Sequence, residues 1–297
     1  MSQSKSQPIQ AAVWMLGAVV SFSVMAIAAR TLNGALDTFE IMLYRSLFGI
    51  VVVVSLAVAR GKLHEIGTQR MGLHLFRNVS HFAGQNLWLF AVTLIPLSQL
   101  FAFEFTTPLW VAAFAPWVLG ERWTAPRIIA CGTGFLGILV VARPDLSTLN
   151  LATVAAALMA VGFAGATLAT KKLSSTDSVM CIMFWLVTLQ AVFGLVCAGI
   201  DMDIEWLNRT TAPWAMLIGL CGLVAHYCIT TALTLAPATV VIPFEFLRLP
   251  LLTVIGFVLY QEPLLWPVFF GAAIILLANV MNVMAEHKTD QPSSTKS

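Results

Sequence analysis

The stretch Ala91-Val-Thr-Leu-Ile-Pro96 returns 141 residues later as Ala232-Leu-Thr-Leu-Ala-Pro237. At the same offset, and without a gap, Phe103-Glu104-Phe105 returns as Phe244-Glu245-Phe246. A repeat of this length indicates one large folding unit used twice, because solenoid modules are only roughly 20–50 residues long. We call two residues at this offset repeat mates. Further repeat mates are Phe22 and Phe163, Ala28 and Ala169, Arg30 and Lys171, Leu32 and Leu173, Glu121 and Glu262, and Pro126 and Pro267.

The composition predicts a membrane protein. The chain is 59% hydrophobic and 10% charged, and its mean hydropathy is +0.88. A soluble domain carries about 25% charged residues, so this sequence lacks the material for a water-exposed surface. The net charge of +2 is too small to indicate a nucleic-acid partner.

Ten apolar runs are long enough to cross a bilayer core, which takes roughly 17–25 residues of helix. Short turns at 95–98 and 236–238 separate spans three and four, and spans eight and nine, because the unsplit helices would overshoot a bilayer. The sequence therefore predicts an all-α integral membrane protein with ten transmembrane helices, at 11–30, 38–59, 74–95, 98–118, 125–142, 150–170, 179–200, 213–235, 239–260 and 264–284.

The repeat divides these ten helices into two halves. We expect a tail at 1–10, a first five-helix repeat at 11–142, a second five-helix repeat at 150–284 and a tail at 285–297. Because five is an odd number, the second repeat must enter the membrane in the opposite sense from the first. Inverted repeats of this kind are typical of secondary transporters.

The distribution of Lys and Arg predicts the orientation. The rule that positive charges stay inside places both termini in the cytoplasm, here of a bacterial inner membrane. In that orientation the cytoplasmic segments collect Lys5, Arg60, Lys62, Arg70, Arg122, Arg127, Lys171, Lys172, Lys288 and Lys296, and the outer segments collect Arg30, Arg143 and Arg209.

The pattern as a whole resembles a known superfamily. Gly120-Glu121 follows the fourth span, Gln261-Glu262 follows the ninth, and basic residues come early in helices two and three. Over residues 11–284 the chain resembles the drug/metabolite transporter superfamily, and within it is most similar to the EamA-type transporters. The resemblance implies alternating access and a small metabolite as cargo, such as an amino acid, a nucleotide-like compound, a vitamin or a drug.

Two glutamates lie in the middle of predicted spans. Glu104 and Glu245 are repeat mates, and a charge inside a bilayer costs at least about 2.5 kcal/mol, so both are candidates for binding a cationic group or carrying protons. The alternative is that each is tied to an arginine and only fixes helix packing. Arg248 lies one turn after Glu245, where it could bind a carboxylate or phosphate of the cargo or simply neutralise Glu245. Its repeat mate is Thr107.

Prolines predict irregular helix geometry at both glutamates. Pro108 cannot donate a hydrogen bond to the carbonyl of Glu104, and Pro250 similarly frees the carbonyl of Phe246. Membrane proteins tolerate such breaks where the backbone faces protein or a wet cavity.

Helix three carries a polar stripe at helical spacing: Asn78, His81, Gln85 and Trp88. We predict that the stripe forms a cavity wall, with hydrogen bonding between helices as the alternative. His226 and Tyr227 are the repeat mates of Gln85 and Asn86, so they are predicted to line the same cavity from the other side, unless they are structural. Arg45 and Arg77 lie nearer their helix ends, and Arg45 could extend to the membrane surface.

Other functional classes have little support. Gly132-Thr-Gly134-Phe-Leu-Gly137 fits a dinucleotide fingerprint, but it lies within an apolar span and lacks the strand and the acidic residue that the fingerprint needs. We interpret its glycines as helix-packing positions. The five cysteines do not have metal-ligand spacing with histidines. The sequence therefore predicts no metal and no cofactor.

These observations favour a transporter over an enzyme. We predict secondary-active transport of a small polar or zwitterionic metabolite, an amino acid or an adenosyl- or flavin-like compound, with the proton as a possible coupling ion. The site is expected between helices three, four, eight and nine. The alternative is an integral-membrane enzyme acting on lipid, which would need a cluster of His or Asp near a membrane face, where the sequence offers only scattered ones.

Overall fold

A computed structural model of the chain describes residues 8–32, 34–119, 125–142, 150–200, 204–235, 241, 244–245, 248–263 and scattered positions between 266 and 281. Several sequence predictions lie wholly or partly outside these residues. They are the two tails, the Gly120-Glu121 pair, the turn at 236–238 and the tenth span at 264–284.

The described chain is helical. Six segments are long and apolar enough to cross a membrane, with α4 and α5 together forming one of them. α3 lies outside these six, and its polar stripe accounts for its lower hydropathy. The helices are α1 (Pro8–Thr31), α2 (Thr38–Ala59), a short 3-10 helix (Leu63–Ile66), α3 (Met71–Val92), α4 (Leu97–Glu104), α5 (Thr107–Leu119), α6 (Ala125–Ala142), α7 (Leu151–Leu173), α8 (Val179–Ala198), α9 (Ala212–Leu235) and α10 (Arg248–Tyr260).

Polar caps fix the starts of three helices. Asp37 and Glu40 form a capping box at α2, in which each side chain accepts a hydrogen bond from the other's backbone N–H. Asn150 Oδ1 accepts from the backbone of Thr153 at 2.8 Å and starts α7. Ser178 starts α8 in the same way. These side chains satisfy N–H groups that a helix leaves free in its first turn.

The fourth predicted span is broken next to Glu104. α4 ends at that residue, Phe105 and Thr106 form a turn, and α5 begins at Thr107. Pro108 explains the break, because it cannot supply the hydrogen bond that would continue the ladder to Glu104. The break places the Glu104 side chain at a helix end in the middle of the bundle.

The helix pairs follow the repeat. The most extensive contacts join α1 with α9, α3 with α7, and α2 with α8. The offset of 141 residues relates α1 to α7, α3 to α9 and α2 to α8. The pair α1–α9 is therefore equivalent to the pair α7–α3, and the pair α2–α8 is formed by two equivalent helices. The main apolar core lies where these helices meet, around Met25, Met42, Trp88, Phe101 and Met159.

Glycines allow α3 and α7 to approach each other closely. A Cβ atom on Gly162 would lie 2.9 Å from the carbonyl oxygen of Ser80 and 3.0 Å from the Cα of Gly84. Any larger residue at this position would push the two backbones apart. This is the way in which small residues bring membrane helices together.

One end of the bundle, which we call the Arg30 end, is held by a charged cluster. Arg30 Nε donates to the carbonyl oxygen of Val92 at 2.8 Å, and Nη2 donates to that of Ile95 at 2.6 Å. Arg30 also forms an ion pair with Glu262, whose Oε2 accepts from the backbone N–H of Leu97 at 2.9 Å. These contacts join the ends of α1, α3 and α10 to the start of α4.

The opposite end, the Lys171 end, has a simpler version of this contact. Lys171 Nζ donates to the carbonyl oxygen of Leu233 at 3.2 Å. Lys171 is the repeat mate of Arg30, and Leu233 is the repeat mate of Val92. The same basic-to-carbonyl contact therefore occurs once at each end of the bundle.

Candidate functional site

A cavity of about 900 Å³, measured out to its mouth, lies among α1, α3, α4, α5, α7, α9 and α10. The lining reaches Thr170 and Leu233 near the Lys171 end and contains none of the residues of the Arg30 cluster. Seven of the eight predicted site residues line it: His81, Gln85, Trp88, Glu104, His226, Glu245 and Arg248.

The eighth predicted residue, Tyr227, lies elsewhere. Its ring packs edge-on against Trp14, with the centroids 5.6 Å apart, and it does not line the cavity. Successive residues of an α-helix point about 100° apart, since 3.6 residues make one turn. The Tyr227 side chain is therefore turned away from that of His226 and contacts Trp14 instead, so the prediction that Tyr227 lines the cavity is corrected.

Arg248 joins the two glutamates, and we call Glu104, Glu245 and Arg248 the ionic triad. Arg248 Nη2 donates to Glu104 Oε1 at 2.6 Å and to Glu245 Oε2 at 3.3 Å. The guanidinium also lies over the ring of Phe22, 4.8 Å from its centroid. One buried cation is thus shared by two carboxylates that are repeat mates. The shorter contact is to Glu104 rather than to Glu245, its neighbour in the sequence.

The two glutamates are held differently. Trp88 Nε1 donates to Glu104 Oε2 at 2.8 Å, so both carboxylate oxygens of Glu104 have partners. The Glu104 side chain is 9% exposed, whereas that of Glu245 is 21% exposed. Among the described residues, Glu245 has only the longer contact with Arg248. Glu245 is therefore the carboxylate that remains available to a ligand or a proton.

Four rings that line the cavity contact one another in succession, and we call them the aromatic row: Phe22, His226, His81 and Phe163. The ring centroids are 5.6 Å, 4.6 Å and 6.0 Å apart in that order. His81 Nε2 and His226 Nε2 are 2.9 Å apart, so one nitrogen donates a hydrogen bond and the other accepts it. The row offers ring surfaces against which a planar ligand can pack.

The polar stripe of helix three is divided between the two predicted roles. His81, Gln85 and Trp88 line the cavity. Asn78 does not line it. Its side-chain Nδ2 donates to the backbone carbonyl oxygen of His74 at 2.8 Å, and its backbone carbonyl oxygen accepts from Gln190 Nε2 on α8 at 2.9 Å. The first three residues fit the predicted cavity wall, and Asn78 fits the alternative of hydrogen bonding between helices.

Several lining residues were not among the predicted site residues. They include Phe22, Arg77, Thr107 and Phe163. The repeat contained a signal for three of them, because Phe22 and Phe163 are repeat mates and Thr107 is the repeat mate of Arg248. Arg77 has no such signal, and only its charge inside an apolar helix indicates it.

Four buried polar atoms at the cavity have no hydrogen-bond partner among the described residues. They are His81 Nδ1, Gln85 Nε2, Thr107 Oγ1 and Arg248 Nε. A buried donor without a partner costs about 1–3 kcal/mol. Such atoms are suited to a ligand that supplies the missing hydrogen bonds.

One group of described side chains, His74, Asp177 and Cys181, has the composition and spacing to hold a metal ion. His74 Nε2 already lies 2.8 Å from Asp177 Oδ2, and Thr68 Oγ1 donates to the same oxygen at 2.7 Å. Burial would raise the pKa of Asp177, but these hydrogen bonds hold it below its usual value. We interpret the group as a hydrogen-bonded link between the segment before α3 and the start of α8.

The chain has relatives with known names over most of its length. It is 30% identical to a riboflavin transporter of Vibrio cholerae, over 92% of this chain and 93% of that protein. It is 24% identical to an S-adenosylmethionine uptake transporter of Rickettsia conorii, over 93% of this chain and 92% of that protein. A riboflavin transporter of Brucella anthropi is 28% identical, over 81% of this chain and 86% of that protein.

A solved crystal structure has the same fold. It matches with a TM-score of 0.67 over 95% of this chain and 99% of that chain, at 16% sequence identity. Apolar helices around a cavity that contains charged and polar side chains, together with these relatives, define an integral membrane protein of the metabolite-transporter class. Residues 9–143 match the EamA-like transporter family. The chain belongs to that family, as the sequence pattern predicted.

Proposed function

We propose that the protein is a secondary-active transporter that carries a planar heteroaromatic metabolite, of the flavin or adenosyl type, by alternating access. It does so in a bacterial plasma membrane, with both termini in the cytoplasm. The proposed architecture is ten transmembrane helices in two inverted repeats, 11–142 and 150–284.

The observation that carries the proposal is the composition of the cavity wall. Six pairs of repeat mates face the cavity together, so both halves of the chain contribute equivalent positions to one central site. This arrangement is expected where a site lies at the interface of two inverted repeats. The pairs are Phe22 and Phe163, Met25 and Ala166, Gln85 and His226, Trp88 and Ile229, Glu104 and Glu245, and Thr107 and Arg248.

Alternating access is supported by the contrast between the two ends of the bundle. The Arg30 cluster ties four chain segments together at the end that the cavity does not reach. At the other end, Lys171 and Lys172 each donate to one carbonyl oxygen, of Leu233 and Val118, Asp177 links Thr68 and His74, and the cavity lining extends to Thr170 and Leu233. We propose that the Lys171 end closes in the opposite conformation, with Glu121 as the counterpart of Glu262.

The cargo class rests on the aromatic row and on the relatives. Two phenylalanine rings stand at the ends of the row and two imidazoles between them, which suits a flat ring system. The relatives named above carry riboflavin and S-adenosylmethionine, as their names state, and both compounds contain such a ring. An amino acid without a ring would leave the row unused.

Coupling to protons is assigned to Glu245. It faces the cavity, and its contact with Arg248 is the longer of the two in the ionic triad. A carboxylate that can be protonated without breaking a short hydrogen bond is suited to this role. Glu104, with both oxygens bonded, is assigned to holding Arg248 in place.

The alternative of a membrane enzyme acting on lipid has less support. The His74 group lies near a helix end, as such an enzyme would require, but its histidine is fully buried and already paired with Asp177. The compared relatives are named as transporters.

The proposal is tested by uptake into proteoliposomes that contain the purified protein. The labelled compounds are riboflavin, S-adenosylmethionine and leucine, and empty liposomes are the control. We expect saturable uptake of at least one of the two heteroaromatic compounds, and uptake of leucine at the level of the control. Uptake of leucine alone would overturn the cargo class, and no uptake of any of the three would argue against the proposed transport activity.

A further inference from the structure

Two buried arginines near the cavity have no acidic partner. Arg77 on α3 lines the cavity and is 2% exposed, and Arg45 on α2 is 6% exposed. Within the part of the chain that the structure describes, neither forms an ion pair. This separates them from Arg30 and Arg248, which both pair with glutamates. An unpaired buried cation is costly, and more so inside a membrane.

The contacts of Arg77 hold it without neutralising it. Its Nε donates to Thr170 Oγ1 at 3.1 Å and its Nη1 donates to Asn78 Oδ1 at 3.2 Å. Both acceptors are neutral. These two hydrogen bonds fix the position of the Arg77 side chain at the cavity wall. Among the described residues, no carboxylate neutralises its positive charge.

Arg45 strengthens the positive charge of this region. Arg45 and Gln190 line a small neighbouring cavity, and Gln190 Nε2 donates to the backbone carbonyl oxygen of Asn78, the residue after Arg77, at 2.9 Å. Arg45 is packed against α9, where a Cβ atom on Gly222 would lie 3.3 Å from its Nη2, and its Nη1 has no hydrogen-bond partner among the described residues. The predicted extension of Arg45 to the membrane surface is therefore wrong.

The cavity consequently has two poles of opposite charge. The ionic triad has two carboxylates for one guanidinium, whereas the pole at Arg77 has cations and no acidic group among the residues that the structure describes. Along α3, Arg77 and Trp88, which contacts the triad, are separated by roughly 16 Å at 1.5 Å per residue. The aromatic row lies between the two poles, because His81 is one helical turn from Arg77.

We propose that Arg77, supported by Arg45, forms a subsite for a negatively charged group, a carboxylate or a phosphate. A guanidinium presents paired N–H donors that match these groups. The cargo then lies with its ring at the aromatic row, its anionic group at Arg77 and a donor or cationic group at Glu245. This inference rests on the proposed function and defines the cargo more narrowly, as a heteroaromatic metabolite that also carries an anion.

The test compares ligands that share a ring system and differ in the anionic group. The pairs are riboflavin 5′-phosphate with riboflavin, and S-adenosylmethionine with its decarboxylated form. Binding to the purified full-length protein is measured by calorimetry. In at least one pair, we expect the anionic member to bind roughly tenfold to a hundredfold more tightly, as a charge-assisted hydrogen bond predicts.

Variants then assign the preference to Arg77. In Arg77→Gln the ratio of affinities should fall to about one, and in Arg77→Lys it should be intermediate, because the charge remains and the donor pair is lost. Arg60→Gln, a change at an exposed arginine, is the control and should keep the wild-type ratio. A wild-type ratio preserved in Arg77→Gln would overturn the subsite.

The wild-type protein alone also tests the proposal, even if Arg77→Gln does not fold. If the neutral compounds bind and neither pair shows a preference, the anionic subsite is wrong while the proposed transport function stands. If none of the four compounds binds the folded protein, both proposals fail. A further measurement identifies the source of the anion. Riboflavin binding is repeated in the presence of inorganic phosphate, and tighter binding would indicate that a separate anion occupies the subsite beside a neutral ring.

Discussion

Glu104 and Glu245 occupy equivalent positions in the two halves of the chain, yet their surroundings differ. Glu104 has a partner for each carboxylate oxygen, Trp88 and Arg248. Among the described residues, Glu245 has one contact, at 3.3 Å, and its side chain has more than twice the exposed fraction of the Glu104 side chain. The comparison teaches that a duplicated position can be divided between two tasks. One copy fixes the site, and the other faces the ligand.

The difference between the halves is concentrated at one residue. Arg248 has Thr107 as its repeat mate, so only the second half supplies a cation to the triad. Arg248→Met would leave two carboxylates, the buried Glu104 and the partly exposed Glu245, without a counter-charge, at a cost of roughly 3–5 kcal/mol in stability. Thermal unfolding in detergent should show a large decrease in melting temperature for Arg248→Met and little change in melting temperature for the control Thr107→Val. Equal stability of the two variants would mean that the triad does not hold the bundle together.

The two glutamates should respond differently to the same substitution. Glu104→Gln weakens two hydrogen bonds to a charged acceptor, so we expect a loss of roughly 1.5–3 kcal/mol in stability. Glu245→Gln should cost less than about 1 kcal/mol, because only a long contact in a partly exposed position is changed. The measurement is a comparison of the unfolding curves of the two variants and the wild type under the same conditions. A larger loss for Glu245→Gln would reverse the assignment of roles.

The two ends of the bundle should also differ. Arg30→Gln removes one ion pair and two hydrogen bonds to carbonyls, whereas Lys171→Gln removes one hydrogen bond. At about 1.4 kcal/mol for each factor of ten, loss of the Arg30 contacts should raise the exposure of that end tenfold or more.

Thiol labelling measures this exposure. The reporter is Leu97→Cys, at a fully buried position of the Arg30 end, in a background without the native cysteines. We expect Arg30→Gln to accelerate labelling and Lys171→Gln to leave it unchanged or to slow it. Equal labelling in both variants would contradict the account of the two ends.

The smallest expected difference concerns the ends of the aromatic row. Phe22→Leu and Phe163→Leu should each weaken binding of riboflavin, by about 0.5–1.5 kcal/mol, because each removes one ring surface. Phe22 also lies beneath the guanidinium of Arg248, so its variant should additionally lose stability. Calorimetry measures the loss of affinity, and thermal unfolding measures the loss of stability. Unchanged affinity for riboflavin in both variants would show that the aromatic row does not contact the ligand.

The sequence predicted the positions of most of the described helices and seven of the residues that line the cavity, because both leave regular signals. Apolar length identifies helices, and the offset of 141 residues connects positions such as Gln85 and His226 that meet only in the folded chain. The offset does not show which of two neighbouring repeat mates faces the cavity. Tyr227, the repeat mate of Asn86, was therefore assigned to the cavity together with His226, and only His226 lines it.

Pairing between distant side chains was beyond the sequence. The spacing of Arg248 and Glu245 favoured a contact between them, but the shorter contact joins Arg248 to Glu104, 144 positions away. Likewise, nothing in the local sequence of Arg45 showed that it packs against α9. Such contacts depend on how the helices are placed relative to one another, which apolar periodicity does not determine.

The central claim is that Glu245 faces the cargo in a transport cavity between the two halves. Its most direct test is uptake of riboflavin and S-adenosylmethionine into proteoliposomes, with and without an imposed pH gradient. The proteins compared are the wild type, Glu245→Gln and a control, Glu65→Gln, outside the cavity. The account predicts uptake that responds to the gradient in the wild type and the control, and at least a tenfold loss of this uptake in a folded Glu245→Gln protein. Full uptake with an unchanged response to pH in Glu245→Gln would contradict it.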